Sequence, residues 1–437
     1  MKNKTYNIIT IGCQTNKSDS ERIAGSLEKL NYQWTDDKDR ADLVVVNTCG
    51  VRQTAEDRVY GIIPRIKKVN PKVKIILAGC LSQRKDVQRR LKQAVDIWLP
   101  INRISNFQFL ISKQIQNSKF KIQNCDYLKL QPKYSSHFSA FVPIGNGCNN
   151  FCAYCVVPYA RGREVYRPAG DVLDEVKSLI KKEYKEIILI AQNVNSYKSL
   201  FAPKNAKKRQ NINFAQLLKM VNDIKGDFWI KFATSHPKDM SDQLIRTVAN
   251  CSKVCEHIHL PVQAGDNEIL KKMNRNYTIE HYKKLIKKIR QAIPEVSITT
   301  DVIVGFPGET KEQFNNAAKL FKEIKFDMAY IAQYSPRPGT VAEKLHDNVT
   351  KKEKKRREEE LMNILRKNAL ENNKKYVGKV VEVLVENKKN GIYFGKTRTD
   401  KNVKIADNRK QKTDLAGKFV KVKITKARDF GLEGELK

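Results

Sequence analysis

Residues 145–158 read GNGCNNFCAYCVVP and place three cysteines at the spacing C-x3-C-x2-C. Cys148, Cys152 and Cys155 are too close in sequence for a fourth ligand to lie between them. A structural zinc site and a fully cysteine-ligated iron–sulfur cluster each take four protein ligands. The stretch therefore predicts either a zinc site that borrows a histidine from elsewhere, or a 4Fe-4S cluster with one iron left open for another molecule.

Six short apolar runs begin just before this loop and continue to residue 335. They are AFVPIG (140–145), EIILIAQN (186–193), WIKFATS (229–235), HIHLPVQ (257–263), SITTDVIVGF (297–306) and MAYIAQYS (328–335). Helical patterns such as DVLDEVKSLIKKE and IEHYKKLIKKIRQAI separate them. Six βα units predict a partial or complete βα barrel with functional groups at the carboxyl ends of its strands.

The first hundred residues alternate strands with helices in the same way. TYNIITI (5–11), DLVVVN (42–47) and KVKIILAGC (72–80) are rich in β-branched residues, which predicts a parallel α/β sheet. Cys13, Cys49 and Cys80 lie at the carboxyl ends of these strands, where such sheets gather functional groups. Each alone would be a small buried hydrophobe, but three at matching strand ends predict a second cysteine cluster.

The last 60 residues alternate at period two between glycine-marked turns, which predicts a small antiparallel β-barrel. A polar stretch at 112–137 is typical of a linker, with Cys125 as a bystander, and the insert at 198–212 is typical of a surface loop. The mixed charges of 350–378 predict a solvent-exposed helix. We therefore expect an α/β chain with three domains, at 1–118, 134–366 and 374–437.

Composition limits the possible partners and compartment. The formal net charge of +36, from 83 Lys and Arg against 47 Asp and Glu, favours a nucleic-acid partner, although a Lys-rich coding bias would give the same balance. Nine cysteines without a secretory signal indicate metal or redox chemistry in a reducing compartment. No apolar run is long enough to span a membrane, and we expect a cytoplasmic protein.

The cysteine loop after the first strand of a partial barrel resembles the radical S-adenosylmethionine (SAM) superfamily. That resemblance implies a 4Fe-4S cluster whose open iron binds SAM. One electron then cleaves SAM to a 5′-deoxyadenosyl radical, while the protein supplies placement and exclusion of water.

Motifs along nearly the whole chain resemble the tRNA methylthiotransferases of the MiaB type. They include GCQTN, NTCGVR, AGCLSQ, GCNNFCAYCVVPYARGREVYRP, QNVNSY, TSHP, CEHIHLPVQAG, MNRNYT, TTDVIVGFPGET and YSPRPGT. The resemblance implies an auxiliary 4Fe-4S cluster on Cys13, Cys49 and Cys80, and an RNA-binding TRAM domain at the end of the chain. It also implies methylthiolation at C2 of N6-isopentenyladenosine beside the tRNA anticodon, with an electron donor, and we expect a monomer.

Several further residues are candidates for the site. The residues at strand ends that we expect to contact SAM are Gln192, Asn193, Ser235, Gln263 and Gly305. Arg161 and Arg163 have the geometry to hold a carboxylate or phosphate, or form a solvated pair. The last candidates, for a zinc site or for the lining of the barrel, are Cys251, Cys255, His257 and His259.

Two alternative functions stay open at this point. The same chemistry on N6-threonylcarbamoyladenosine would need a buried cation for the substrate carboxylate, a role that Arg161 or Arg163 could fill. A non-catalytic iron–sulfur RNA-binding protein would need one cluster and no cofactor pocket. Two cysteine triads and a full barrel favour the enzyme.

Overall fold

The computed structural model describes residues 4–50, 53–101, 128–201, 210–406 and 414–437. Cys125, most of the predicted linker and the middle of the 198–212 insert lie outside these residues. None of the helices in the described parts is long and apolar enough to cross a membrane.

The N-terminal unit is a five-stranded sheet in the order β2-β1-β3-β4-β5. All of its strand pairs are parallel, which confirms the predicted parallel α/β sheet. Its strands are β1 (Thr5–Ile11), β2 (Gln33–Trp34), β3 (Leu43–Thr48), β4 (Lys74–Gly79) and β5 (Ile97–Leu99). Its helices are α1 (Gln14–Glu28), α2 (Gln53–Val69) and α3 (Lys85–Leu91). Every residue of β3 is buried, and its alternate side chains pack into two separate cores. A parallel sheet covered on both faces needs such continuous apolar strands.

The central unit is a six-stranded partial barrel. Two parallel sheets, β12-β9-β6 and β13-β14-β15, meet at a bridge between Ile230 and Val254. The six strands are β6 (Ser139–Pro143), β9 (Glu186–Ile190), β12 (Trp229–Ala233), β13 (His257–His259), β14 (Ser297–Val304) and β15 (Met328–Gln333). They match the six apolar runs of the sequence and confirm the partial barrel.

Helices cover the outside of this barrel, joined by short strands and loops. The helices are α4 (Val157–Arg161), α5 (Ala169–Lys181), α6 (Phe214–Asn222), α7 (Asp242–Asn250), α8 (Asn267–Lys272), α9 (Ile279–Ala292), α10 (Lys311–Ile324) and α11 (Lys351–Lys374). The short strands β7 (Gly145–Asn146) and β8 (Val165–Tyr166) pair across the base of the cysteine loop.

Two predictions about surface segments were wrong. The described ends of the 198–212 insert form an antiparallel hairpin, β10 (Lys198–Phe201) with β11 (Gln210–Asn213), rather than a loop. Helix α11 is not fully solvated, because one face is buried and includes Lys354 and Arg357. These cations are tolerated there because they pair with Asp347 and Glu309.

The C-terminal unit is a closed five-stranded barrel in the order β16-β17-β18-β20-β19. Its strands are β16 (Val380–Lys389), β17 (Ile392–Thr397), β18 (Asn402–Ala406), β19 (Phe419–Arg428) and β20 (Gly431–Leu436). The closed barrel confirms the prediction, with one difference: β18 and β20 are parallel, whereas the other pairs are antiparallel.

This small barrel docks on the amino ends of the central strands, opposite the cysteine loop. Asp400, in the turn between β17 and β18, lies 3.1 Å from Lys231 Nζ, which also pairs with Glu186 at 2.8 Å. The Trp229 ring packs on Phe419 with centroids 4.7 Å apart. Both ionic and apolar contacts therefore hold the C-terminal barrel against the central one.

Candidate active site

The first cysteine triad lies where three adjacent strands of the N-terminal sheet end. Cys49 N–H donates to the Ile11 carbonyl at 2.8 Å, and Cys80 N–H donates to the Thr48 carbonyl at 3.0 Å. The sheet ladder therefore continues into the cysteines and brings them side by side. Cys13 precedes α1 as its N-terminal cap residue.

Two thiols of this triad, those of Cys13 and Cys80, have pKa values shifted in opposite directions. A hydrogen bond with Cys49 and the nearby Arg161 guanidinium lower the pKa of Cys13. Burial raises the pKa of the Cys80 thiol, against the opposing charge of Arg161. Metal binding needs thiolates, and the Arg161 charge favours the thiolate form at both positions.

The second triad lies in the loop between β7 and β8. Backbone contacts fix the first residues of this loop. Cys148 N–H donates to the Gly162 carbonyl at 3.1 Å. Gly147 has a φ of +86°, and a Cβ there would lie 2.2 Å from the Arg163 carbonyl oxygen. Only glycine fits this position, because both the conformation and the close approach exclude a side chain.

A segment after α8 grips the same loop from the other side. The Met273 carbonyl accepts from Ala153 N–H at 2.9 Å. Asn274 Nδ2 donates to the Phe151 carbonyl at 2.9 Å, which supports the left-handed φ of +47° at Phe151. Arg275 Nη1 lies 3.5 Å from Cys152 Sγ. Protein contacts therefore hold the cysteine loop from both sides.

The two triads face one interface. A Cβ built on Gly50 lies 3.0 Å from Cys80 Cβ and 3.3 Å from Val156 Cγ2, so the strand ends of one unit touch the cysteine loop of the other. Burial raises the pKa of the Cys155 thiol, and Cys80 is one of the groups that add to this rise. The structure thus brings together six cysteines that are separated by up to 142 residues.

A buried ion pair crosses the same interface. Arg161 Nη2 lies 2.5 Å from Asp19 Oδ2, and Nη1 donates to Asn146 Oδ1 at 3.0 Å. The Arg161 and Asp19 side chains are 3% and 0% exposed. The carboxylate that Arg161 binds is therefore one of the protein's own. Arg163 lies at the surface over the Phe151 ring, 4.5 Å from its centroid.

The residues predicted to contact SAM divide into two groups. Asn193 Oδ1 and Ser235 Oγ are buried and have no hydrogen-bond partner within the described parts of the chain. Such orphaned oxygens at the ends of β9 and β12 fit a polar ligand over the barrel. Gln192 Oε1, in contrast, accepts from Gly147 N–H at 2.6 Å, and Gly305 N–H donates to Glu309 Oε2 at 2.6 Å. The backbone N–H of Gln263, which has a φ of +68°, donates to the Asp301 carbonyl at 2.9 Å.

A polar groove of about 450 Å³ opens beside the cysteine loop. Its lining includes Asn149 and Asn150 from that loop, together with Asn193, Lys198 and Lys238. Asn193 Nδ2 donates to Asp239 at 2.7 Å, which leaves its oxygen toward a ligand. The thiol sets and the orphaned oxygens together fit two clusters and a polar cofactor.

Comparison with known proteins decides the family. The chain is 44% identical to tRNA-2-methylthio-N(6)-dimethylallyladenosine synthase of Thermoanaerobacter pseudethanolicus over 100% of this chain and 93% of that protein. It is also 44% identical to the protein of the same name from Clostridium novyi, over 99% of this chain and 97% of that protein. The chain belongs to this family of tRNA methylthiotransferases. Its members are radical SAM enzymes, as the motifs indicated.

Three family models match successive parts of this methylthiotransferase chain. They are "Uncharacterized protein family UPF0004" over residues 5–100, "Radical SAM superfamily" over 142–321 and "TRAM domain" over 374–437. The radical SAM methyltransferase TsrM from Kitasatospora setae shares the fold at a TM-score of 0.52 and 14% identity, covering 78% of this chain and 77% of that one. The cobalamin-dependent radical enzyme OxsB has the same TM-score at 10% identity, covering 78% and 54%.

The zinc interpretation of the histidine-rich strand finds no support. Within the described ranges, no three His, Cys, Asp or Glu side chains converge on a position for one metal ion. His257 and His259 instead share the Thr299 hydroxyl at 2.9 and 3.0 Å inside the barrel.

Sequence reasoning missed the contacts that support the site. Asp19 follows Cys13 by six residues, and Arg161 follows Cys155 by six, but nothing in either motif pairs them. Asn274 and Arg275 lie in the MNRNYT motif, which resembled the family without indicating a contact with the cysteine loop. The only signal in the sequence for the contact with the cysteine loop was a charged residue, Arg275, inside a motif that resembles the family.

Proposed function

We propose that this chain adds a methylthio group to C2 of N6-dimethylallyladenosine on the 3′ side of the tRNA anticodon. The observation that carries the proposal is the meeting of two cysteine triads at one buried interface. Relatives at 44% identity, matched over nearly their whole length, carry the name of this activity. We further expect the enzyme to act as a cytoplasmic monomer that receives electrons from a separate donor.

The two triads would hold different clusters. Cys148, Cys152 and Cys155 would bind the cluster that works with SAM, and Cys13, Cys49 and Cys80 would bind the auxiliary cluster. When bound, the clusters and SAM supply the radical, methyl and sulfur chemistry. Asn193 and Ser235 are the cofactor contacts that burial and missing partners support best.

The chain's own residues shape and shield the site. The loop from Cys148 to Cys155 offers three thiols and no fourth, so a bound 4Fe-4S cluster would keep one iron without a protein ligand. Tyr154 is part of the shield: burial raises its pKa far above the ordinary value and keeps its phenol neutral beside the thiols. Val156 packs on Gly50 where the two units meet, and we expect this contact to help to exclude water. Water exclusion protects a reactive intermediate from side reactions.

The two arginines predicted to bind a carboxylate bear on the substrate's modification. A dimethylallyl group is apolar and needs no cation, whereas a threonylcarbamoyl carboxylate would need one. Arg161 already binds the Asp19 carboxylate, and Arg163 stacks on Phe151 at the surface. The two cations that favoured the threonylcarbamoyl alternative are therefore engaged elsewhere, which supports the dimethylallyl substrate.

A tRNA partner agrees with the charge of the chain and of its last domain. The net charge is +36, and Lys and Arg outnumber Asp and Glu in residues 374–437. Contacts from these side chains to phosphates would make tRNA affinity fall steeply with salt.

The test uses the reconstituted protein with two matched tRNAs, one dimethylallylated and one threonylcarbamoylated, and mass spectrometry of the digested nucleosides. We expect the methylthio product from the dimethylallylated tRNA alone. Product only from the threonylcarbamoylated tRNA would reject the substrate. Absence of 5′-deoxyadenosine with either tRNA, in protein that carries iron, would favour the non-catalytic RNA-binding alternative.

A further inference from the structure

Arg275 is a buried cation at the cysteine loop. The residue is only 6% exposed. Nη1 lies 3.5 Å from Cys152 Sγ, Nη2 donates to the Pro261 carbonyl at 2.9 Å, and Nε donates to the Tyr277 hydroxyl at 2.9 Å. Each nitrogen of the guanidinium therefore has a partner, and the partner of Nη1 is a thiol.

No carboxylate lies within 4 Å of Arg275 in the parts of the chain that the structure describes, which sets it apart from the other buried arginines. Arg161 pairs with Asp19, Arg167 with Glu175, and Arg357 with Glu309. A buried cation without a counter-charge is costly. Arg275 therefore needs an anion that is not a carboxylate of its own fold.

The groups around Arg275 leave one candidate for this anion. The Tyr277 hydroxyl donates to the Val262 carbonyl at 2.8 Å, so it is a neutral phenol. His236 packs edge-on against Tyr277 and is neutral, because burial and the Arg275 charge lower its pKa to about 2. The remaining neighbour is Cys152, which would be a thiolate in a bound cluster.

We propose that Arg275 is the counter-cation of the cluster on Cys148, Cys152 and Cys155, and raises the reduction potential of that cluster through its contact with Cys152 Sγ. Reduction adds negative charge, and a fixed cation or a hydrogen bond to a ligand sulfur favours the more negative state. The inference rests on the proposed cluster but not on the tRNA substrate.

The fold holds Arg275 where this role requires it. Asn274 and Met273, its neighbours in sequence, bind the cysteine loop directly. Tyr277 fixes the Nε side of the guanidinium, and its own hydroxyl donates to the Val262 carbonyl at 2.8 Å. A cationic side chain of another length at position 275 would not reach these same partners. Arg275 is thus a positioning and charge-balancing residue.

The experiment is a redox titration followed by electron paramagnetic resonance, in full-length protein whose auxiliary triad is replaced by alanine. Iron content and SAM affinity are measured alongside. We expect Arg275→Met to keep the cluster and shift its midpoint potential to more negative values. Arg275→Lys should shift the midpoint potential less than Arg275→Met does, because it keeps the positive charge. The matched control Arg357→Met removes a buried arginine that pairs with Glu309, and should leave the potential unchanged.

Each possible result either supports or overturns the proposed role of Arg275. An unchanged potential in Arg275→Met with full iron would overturn the proposal. Weaker SAM binding without a potential shift would overturn it too, and would assign Arg275 to the cofactor's carboxylate. If Arg275→Met loses its iron, Tyr277→Phe still tests the idea, because it keeps the charge and removes one contact. We expect a smaller negative shift there, and a wild-type potential would contradict the proposal. A parent protein without iron would instead reject the proposed function.

Discussion

Replacing Arg161 by methionine tests how the two cysteine triads are held together. The substitution removes the guanidinium that balances the Asp19 carboxylate, which is 0% exposed, and it also removes the contact with Asn146. Removing one partner of a buried ion pair costs about 3–5 kcal/mol. We expect a loss of this size in the stability of the interface between the N-terminal unit and the barrel.

Hydrogen exchange is the suitable assay, because a chain with three folded units does not unfold in one step. A loss of about 3–5 kcal/mol corresponds to exchange about 2–4 orders of magnitude faster at amides of α1 and α4 whose opening requires the interface to separate. The matched control is Arg163→Met, two residues away. Arg163 is exposed and stacks on Phe151, a contact worth about 0.5–1 kcal/mol.

The two variants should also differ in catalysis. Because Arg161 fixes the N-terminal triad against the loop triad, Arg161→Met should still form 5′-deoxyadenosine but give about 100-fold less methylthio product per 5′-deoxyadenosine. Equal exchange in wild type and Arg161→Met would refute the reasoning. An effect of Arg163→Met as large as that of Arg161→Met would also refute the reasoning.

Three further predictions follow from the packing. Gly147→Ala should lower the iron held by the loop triad, because the new Cβ meets the Arg163 carbonyl, and iron analysis checks this. Gly61→Ala, at an exposed position of α2, should raise the stability of the N-terminal unit by about 0.5–1 kcal/mol, measured by hydrogen exchange of its amides. Asp400→Asn should destabilise the docked C-terminal barrel by about 1–3 kcal/mol, measured by hydrogen exchange of its amides, whereas the exposed Glu435→Gln should not, and equal exchange in the two variants would contradict the docking. Burial lowers the pKa of His257 from 6.5 to about 4, so the neutral ring contributes stability that is complete above pH 6.5 and is lost as the pH falls toward 4. His257→Gln should therefore reduce the loss of stability between pH 6.5 and pH 5 by about 2 kcal/mol, and parallel pH curves for the two proteins would contradict this.

The strands and the cysteine triads could be predicted because each leaves a local signal. Apolar runs of strand length alternate with amphipathic helices, and parallel strands must end at one edge of the sheet. Cys13, Cys49 and Cys80 therefore had to meet once the strand order was known. The spacing of the loop cysteines is local as well.

The rest depends on contacts between distant charges, which leave no periodic pattern. Asp19 and Arg161 are polar residues in helices, and only the docking of two units buries them. Lys354 and Arg357 belong to a helix whose mixed charges predict solvent exposure, yet pairing with Asp347 and Glu309 allows them to be buried. The pairing of β10 with β11 was missed because each strand is only four residues long and neither shows a clear apolar run.

The most direct test of two cooperating triads is one reaction mixture in which 5′-deoxyadenosine and methylthiolated nucleoside are measured together. Wild-type protein with SAM, a reductant and dimethylallylated tRNA should form both. The variant with Cys13, Cys49 and Cys80 replaced by alanine should form 5′-deoxyadenosine without the methylthio nucleoside. Methylthio product from that variant would contradict the role of the N-terminal triad.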